Sequence, residues 1–220
     1  MSRKTVRLTL DNLADLPTPC RSCLFWELDP VRRDRVCEED RAAEKEVWLS
    51  NVLREWGSCG RLAMVDDQAV GYAIYAPAAF VPGGSTFPTA PISPDAVQLT
   101  TVYVDAEHAG GGIGRLLIQG MARDLIKRGG GLAVEAFGDT RGRSGHCVVP
   151  AEFLSSVGFK TQRAHPRTPR MRMELKSALT WRDEVEQAIE KLLGAVRPAV
   201  RPAPKAARPH ARDGRPPALS

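Results

Sequence analysis

The sequence predicts an α/β chain in which a mixed sheet is flanked by helices. Two observations carry that expectation. Residues 100–126 read TTVYVDAEHAGGGIGRLLIQGMARDLI, which is an apolar strand, a run of glycines and an amphipathic helix in succession. Elsewhere, segments that alternate every two residues follow segments with a helical period.

Each element has its own reason. In residues 5–10, Val6, Leu8 and Leu10 alternate with Arg7 and Thr9, as in a half-buried strand. Residues 16–30 are interrupted by Pro17, Pro19 and Pro30. Residues 38–56 read as a helix with Leu49, Val52, Leu53 and Trp56 on one face, and Trp48 and Trp56 as core anchors. Residues 61–65 and 69–75, joined by Asp66-Asp67-Gln68, make a hairpin. Residues 77–94 contain five prolines and Gly83-Gly84, so they form a long loop: one wall of a groove, or a disordered insertion. Residues 100–104 are β-branched and aromatic, as a buried strand requires. Ile113, Leu117, Met121 and Leu125 recur every four residues, with Leu116 and Gly120 beside them, giving a helix with one buried stripe. A strand at 132–137 follows. Residues 150–157 form a short helix, with Pro150 at its start and Gly158 past its end. Strands at 159–163 and 171–175 then pair around His165-Pro-Arg-Thr-Pro169.

Three regions follow along the chain: a domain over residues 1–176, an amphipathic helix over 177–194 and a tail over 195–220. Trp181, Val185, Ile189, Leu192 and Val196 form the stripe of that helix, which docks on the domain or on a second copy in a homodimer. The tail is rich in Pro, Ala and Arg and is expected to be disordered, because it cannot bury enough to offset ordering entropy. It carries six basic side chains against Asp213, which accounts for the whole net charge of +5. Residues 1–194 hold 25 basic and 25 acidic side chains. A neutral body argues against a nucleic-acid function, although a tail-borne one stays open. At 43% hydrophobic the composition is globular. With no membrane span and no apolar leader near the N-terminus, the expected compartment is the cytoplasm.

The five cysteines are Cys20, Cys23, Cys37, Cys59 and Cys147. An odd number without a secretion signal argues against a disulfide framework. Cys20-Arg-Ser-Cys23 has half the spacing of a zinc site, but no second CxxC completes it, so no metal is expected. A thioredoxin-like pair lacks its βαβ context. Reduced thiols packed near the N-terminal helix are the favoured reading.

The glycine turn carries the functional signal. Ala109-Gly-Gly-Gly-Ile-Gly114 has almost no side chains, so its backbone can lie directly against a ligand. The N–H groups of the next helical turn lack intrahelical partners, and the helix dipole adds positive charge there. The result is an anion site, most often for phosphate, or else a flexible connector. Arg115 in that first turn opposes the dipole unless an anion is present; a solvated arginine is the alternative. GxxxxGK[ST] is absent, which excludes a P-loop. A dinucleotide turn fails because Arg115 fills its last glycine position.

The segment resembles the acyl-CoA-binding motif of the GNAT-type N-acetyltransferases, in which an apolar strand leads to [QR]-x-x-G-x-[GA] opening a helix. The strand is residues 99–104, the link Asp105-Ala-Glu-His108 and the motif Ala109-Gly-Gly-Gly112-Ile-Gly114. Ala109 stands where the family has Gln or Arg. The resemblance covers roughly residues 6–175 and is specific around 99–125. It implies a GNAT-type acyl-CoA N-acyltransferase fold, whose sheet splits between two central strands to receive the co-substrate. It implies that Ala109, Gly110, Gly111, Gly112, Ile113, Gly114 and Arg115 surround the pyrophosphate of acetyl-CoA. Val102, Tyr103 and Val104 would present backbone groups to the acyl-pantetheine arm. Residues 24–27 would lie near the acceptor side.

The reaction implied is acetyl transfer from acetyl-CoA to a primary amine, small-molecule or peptide, by direct attack without an acyl-enzyme. It needs an amine that loses a proton, a polarised carbonyl and a thiolate that leaves. The family often carries a tyrosine as acid within a pattern like F-Y-x-x-x-G-F. Here Phe153-Leu-Ser-Ser-Val-Gly-Phe159 puts Leu154 at that position. Ser155, Ser156, Cys147 or water are substitutes for the acid, and Glu135, Glu107 and His146 are candidate bases by type. Cys147 as a nucleophile would need a base beside it. Leu154 also motivates an alternative, a non-catalytic acyl-CoA-binding regulatory module.

Overall fold

Eight strands form one mixed sheet in the computed structural model, which describes residues 2–17, 20–129, 133–142 and 147–175. The helix expected at 177–194 and the tail at 195–220 lie outside the described residues, as do Leu132 and His146. The strands are β1 (Arg3–Arg7), β2 (Gly60–Val65), β3 (Gln68–Ala76), β4 (Ala96–Val104), β5 (Ala133–Asp139), β6 (Val149–Pro150), β7 (Lys160–Arg163) and β8 (Arg170–Glu174). Their order is β1-β2-β3-β4-β5-β8-β7, with β6 beside β5. Neighbours run antiparallel except β4–β5 and β5–β6. The helices are α1 (Pro30–Arg33), α2 (Arg41–Glu55), α3 (Ile113–Arg128) and α4 (Ala151–Ser156). Among the described residues no helix is long and apolar enough to cross a membrane.

The expected elements are present with shifted ends. β1 ends at Arg7, before Leu10, because Asn12 turns the chain: its Oδ1 accepts from the Thr9 N–H (2.8 Å) and its Nδ2 donates to the Arg7 carbonyl (2.9 Å). The β2–β3 hairpin turns on Asp66 and Asp67, both at positive φ (47° and 66°), a conformation that short polar side chains tolerate.

The two faces of the sheet have separate cores. On one, Ile113, Leu117, Met121 and Leu125 of α3 pack on Ala63, Tyr75, Leu99 and Val134. On the other, Trp48, Leu49 and Val52 of α2 join Trp26, Leu62, Tyr72 and Ile74. Fully burying one such aliphatic side chain is worth about 1.5–3 kcal/mol, so these two stripes dominate the packing.

Residues 77–94 are packed, so the alternative of a disordered insertion does not hold. Trp48 Nε1 donates to the Phe80 carbonyl (2.7 Å), and the Gly83 N–H to the Trp26 carbonyl (3.0 Å). A Cβ at Gly83 would sit 2.2 Å from the Phe25 carbonyl oxygen, so only glycine permits that approach. Phe87 stacks with both Trp26 (5.1 Å) and Phe137 (4.4 Å), which also face each other (6.3 Å), and Thr89 Oγ1 donates to the Thr168 carbonyl (2.9 Å).

Candidate functional site

The site begins where β4 and β5 part. Among the described residues they pair at three positions, Ala96–Ala133, Val97–Val134 and Gln98–Glu135. Beyond Gln98 no described strand pairs with that edge of β4, although β3 still pairs with the other edge as far as Val104. A bulge coincides with the parting. Register on β3 passes from Ile74 opposite Thr101 to Tyr75 opposite Leu99, leaving Thr100 as the extra residue. Bulges bend a strand and re-aim the residues beyond them, as an opening in a sheet requires. Thr100 itself is buried, and its hydroxyl donates to the Ile74 carbonyl (3.0 Å).

β4 leads through a 3-10 turn (Ala106–His108) into the glycine turn and α3. Gly110 and Gly112 have φ of 75° and 81°, a left-handed backbone suited to glycine, and a Cβ on either would meet nothing within 4 Å. The turn is therefore open on its outer side. Among the described residues, the backbone N–H groups of Gly110, Gly112, Ile113 and Gly114 have no acceptor. Gly114 has a different task, since a Cβ there would lie 2.7 Å from the Phe153 ring; its absence lets α3 approach α4. Arg115 Nη2 donates to the Ser156 carbonyl (3.2 Å), tying the first turn of α3 to the end of α4. Arg3, which the sequence did not single out, donates from Nη1 to the Gly111 carbonyl (2.7 Å) and sets a cation beside the turn. Only the pairing of β1 into the sheet brings it there.

Val102 and Val104 pack toward the α3 core, while Tyr103 points to the opposite face and stacks on Tyr72 at 5.6 Å. Burial and a hydrogen bond to Asp105 both push the Tyr103 phenol up, so it keeps its proton. It is the tyrosine hydroxyl of the stretch of β4 that lies beyond its pairing with β5.

The other candidates are dispersed. Glu135 is fully buried and fully engaged. It accepts from the Ser93 N–H (3.0 Å) and hydroxyl (2.6 Å), and pairs with Arg172 (3.1 Å) and Arg170 (3.4 Å). Protonating it would take from Arg170 its carboxylate partner and leave Arg172 with Asp95 and Glu174, so this geometry suits charge pairing more than the expected base. Ser155 is exposed and donates its hydroxyl to the Ala151 carbonyl within its own helix (3.0 Å). Leu154, at the tyrosine position, is wholly buried in the core. Glu107 is exposed in the 3-10 turn.

Cys147 is drawn into a thiol cluster. Its Sγ lies 3.4 Å from Cys23 Sγ, and its carbonyl accepts from Trp26 Nε1 (3.0 Å). Among the described residues no three His, Cys, Asp or Glu side chains are grouped to hold a metal ion.

Comparison with known proteins places this geometry. The chain is similar in fold to the PaiA N-acetyltransferase of Thermoplasma acidophilum, a structure in complex with coenzyme A (TM-score 0.52, 16% identity, 79% of this chain and 99% of that one). It is similar to an N-acetyltransferase from Staphylococcus aureus Mu50 (TM-score 0.52, 13% identity, 80% and 99%). It is also similar to the loading GNATL domain of CurA from Lyngbya majuscula (TM-score 0.51, 14% identity, 80% and 100%). At these identities the likeness shows a shared fold. No curated protein matches the sequence. The profile described as the Acetyltransferase (GNAT) family matches residues 21–141, more than half of the chain and the whole of the strand, glycine turn and helix described above. The chain belongs to the GNAT acetyltransferase family.

Proposed function

We propose that the protein transfers an acetyl group from acetyl-CoA to a primary amine by direct attack of the amine on the thioester. One observation carries the reading: the parting of β4 from β5 opens beside a glycine turn whose outer side is clear and whose N–H groups are unspent. Such N–H groups suit a pyrophosphate, and the Arg3 guanidinium beside them adds charge of the right sign. The β4 edge beyond Gln98 offers unpaired backbone groups for the pantetheine arm and the thioester carbonyl.

Acetyl-CoA would supply an activated acyl group and a thiol leaving group. The chain's own contribution is to hold the thioester, polarise its carbonyl and return a proton to sulfur. With Leu154 buried, α4 has no phenol for that last task. We assign it to Tyr103, which stays protonated beside Asp105 on the stretch of β4 beyond its pairing with β5. A positioned acid of this kind contributes about 10²–10⁴-fold. Y103F is therefore expected to lower kcat by about 10²-fold with KM for acetyl-CoA little changed. An unchanged kcat would remove Tyr103 from the role.

Leu154 also supports a second reading, that the protein binds acyl-CoA without transferring from it. The discriminating experiment follows thiol release from acetyl-CoA with panels of amino acids, polyamines, aminoglycosides, peptide N-termini and lysine peptides. Many turnovers per protein with one class support transfer. Acetyl-CoA binding with no turnover on any class favours the second reading.

A further inference from the structure

The thiol cluster has a chemistry of its own. Cys23 and Cys147 are 124 positions apart in sequence, yet their sulfurs are 3.4 Å apart. Two hydrogen bonds fix the backbones that carry them: Lys45 Nζ to the Cys23 carbonyl (3.0 Å) and Trp26 Nε1 to the Cys147 carbonyl (3.0 Å). Both residues are partly exposed. Cys20, the partner that the CxxC spacing suggests for Cys23, packs against the cluster that holds Tyr72. Cys59 is wholly buried and Cys37 is exposed.

We propose that Cys23 and Cys147 form a thiol-oxidation site, which peroxide converts to an intramolecular disulfide. A disulfide sets its sulfurs about 2.05 Å apart, so the pair must close by roughly 1.4 Å. Cys23 is the attacking group: the Cys147 thiol and the Phe25 N–H donate to its sulfur, and Lys45 lies nearby, all favouring thiolate. Its sulfur attacks one oxygen of hydrogen peroxide, the O–O bond breaks, and Cys23 sulfenic acid and hydroxide form. The Cys147 sulfur then attacks the Cys23 sulfur, the S–S bond forms, and the sulfenic oxygen leaves as water with the remaining proton. Two thiols and one peroxide yield one disulfide and two waters; the two electrons given up by sulfur reduce the peroxide. The site does not depend on the acyl-transfer reading.

The test is non-reducing peptide mapping of the full-length protein after stoichiometric hydrogen peroxide. Trypsin cuts after Arg21, which separates Cys20 from Cys23, so the partners are unambiguous. The expected product joins residues 22–32 to residues 144–160, with a mass two hydrogens below the sum, and dithiothreitol reverses it. A Cys20–Cys23 bridge would overturn the proposal. So would Cys23 and Cys147 that remain alkylated by iodoacetamide to the yield of untreated protein, or that carry separate sulfinic and sulfonic acids. Cys147→Ser, checked for an unchanged melting temperature, is expected to trap Cys23 as a sulfenic acid captured by dimedone. A folded C147S whose Cys23 resists dimedone would contradict the order of attack. If C147S does not fold, the wild-type map decides.

Discussion

Gly112 shows how much a single backbone conformation carries. It is the N-cap of α3 at φ 81°, and nothing crowds the place where a Cβ would stand. A G112A substitution thus meets no clash, but it forces an L-residue into the left-handed region at about 1–2 kcal/mol. The turn relaxes by swinging its N–H groups away. The expected outcome is a dissociation constant for acetyl-CoA raised by about tenfold, equal to about 1.4 kcal/mol, with a melting temperature only a few degrees lower. Calorimetric titration beside thermal unfolding separates the two effects.

Cys23 is the second residue with a measurable signature. The Cys147 thiol bond lowers its pKa, burial and Glu27 oppose, and the Phe25 N–H and Lys45 assist; the result is a thiol brought down to about 6. Thiolate therefore prevails above that value. Alkylation of Cys23 by iodoacetamide is expected to rise with pH through a midpoint near 6 and level off by neutrality. C147A removes the largest lowering cause and shifts the midpoint upward. Cys59 serves as an internal contrast, since burial pushes its thiol up to about 12.

At the scale of elements, α3 is anchored by more than its apolar stripe. Asp124, nearly buried, accepts from the Tyr75 hydroxyl (2.9 Å), Arg61 (2.9 Å) and Arg128 (3.2 Å), joining α3 to β2 and β3. Burial pushes its carboxyl up, but the Tyr75 hydroxyl, Arg61, Ser58 and Arg128 outweigh it and hold the carboxyl below its usual value. A carboxyl lowered by folding stabilises the fold above its unfolded pKa, and that contribution is lost as pH falls through the folded one. D124N is expected to cost about 3–5 kcal/mol at neutral pH, because Arg61 and Arg128 lose their anion. Chemical denaturation at neutral and acid pH should show the difference from wild type shrinking in acid. A difference independent of pH would contradict the assignment.

The same elements show what was legible in the sequence. The α3 stripe of Ile113, Leu117, Met121 and Leu125 is readable because one face of a helix repeats every three to four residues. The glycine turn is readable because left-handed backbone selects glycine at Gly110 and Gly112. The bulge at Thr100 is hidden, since residues 99–104 look like a buried strand in either register. Glu135 reads as a base by type, but pairing of β5 with β8 decides that Arg172 faces it. Arg3 and the Cys23–Cys147 contact arise from tertiary pairing over 108 and 124 positions, where local pattern carries no information.

At the scale of the whole molecule, a continuous sheet is opened on purpose. Strands β4 and β5 begin as neighbours and part after three residues, with α3 on one face and the cluster of Trp26, Tyr72, Tyr103 and Cys147 on the other. The parting is thus flanked by two features, the glycine turn and the aromatic face. We assign the first to acyl-CoA and the second to the amine. Both assignments require that the opening and the glycine turn together bind acetyl-CoA. The decisive experiment is calorimetric titration of the full chain with acetyl-CoA, with NAD and ATP as controls. Saturable one-to-one binding of acetyl-CoA is expected, which the controls do not reproduce and which G112A weakens. No heat of binding at millimolar acetyl-CoA, or equal binding of all three ligands, would contradict both assignments.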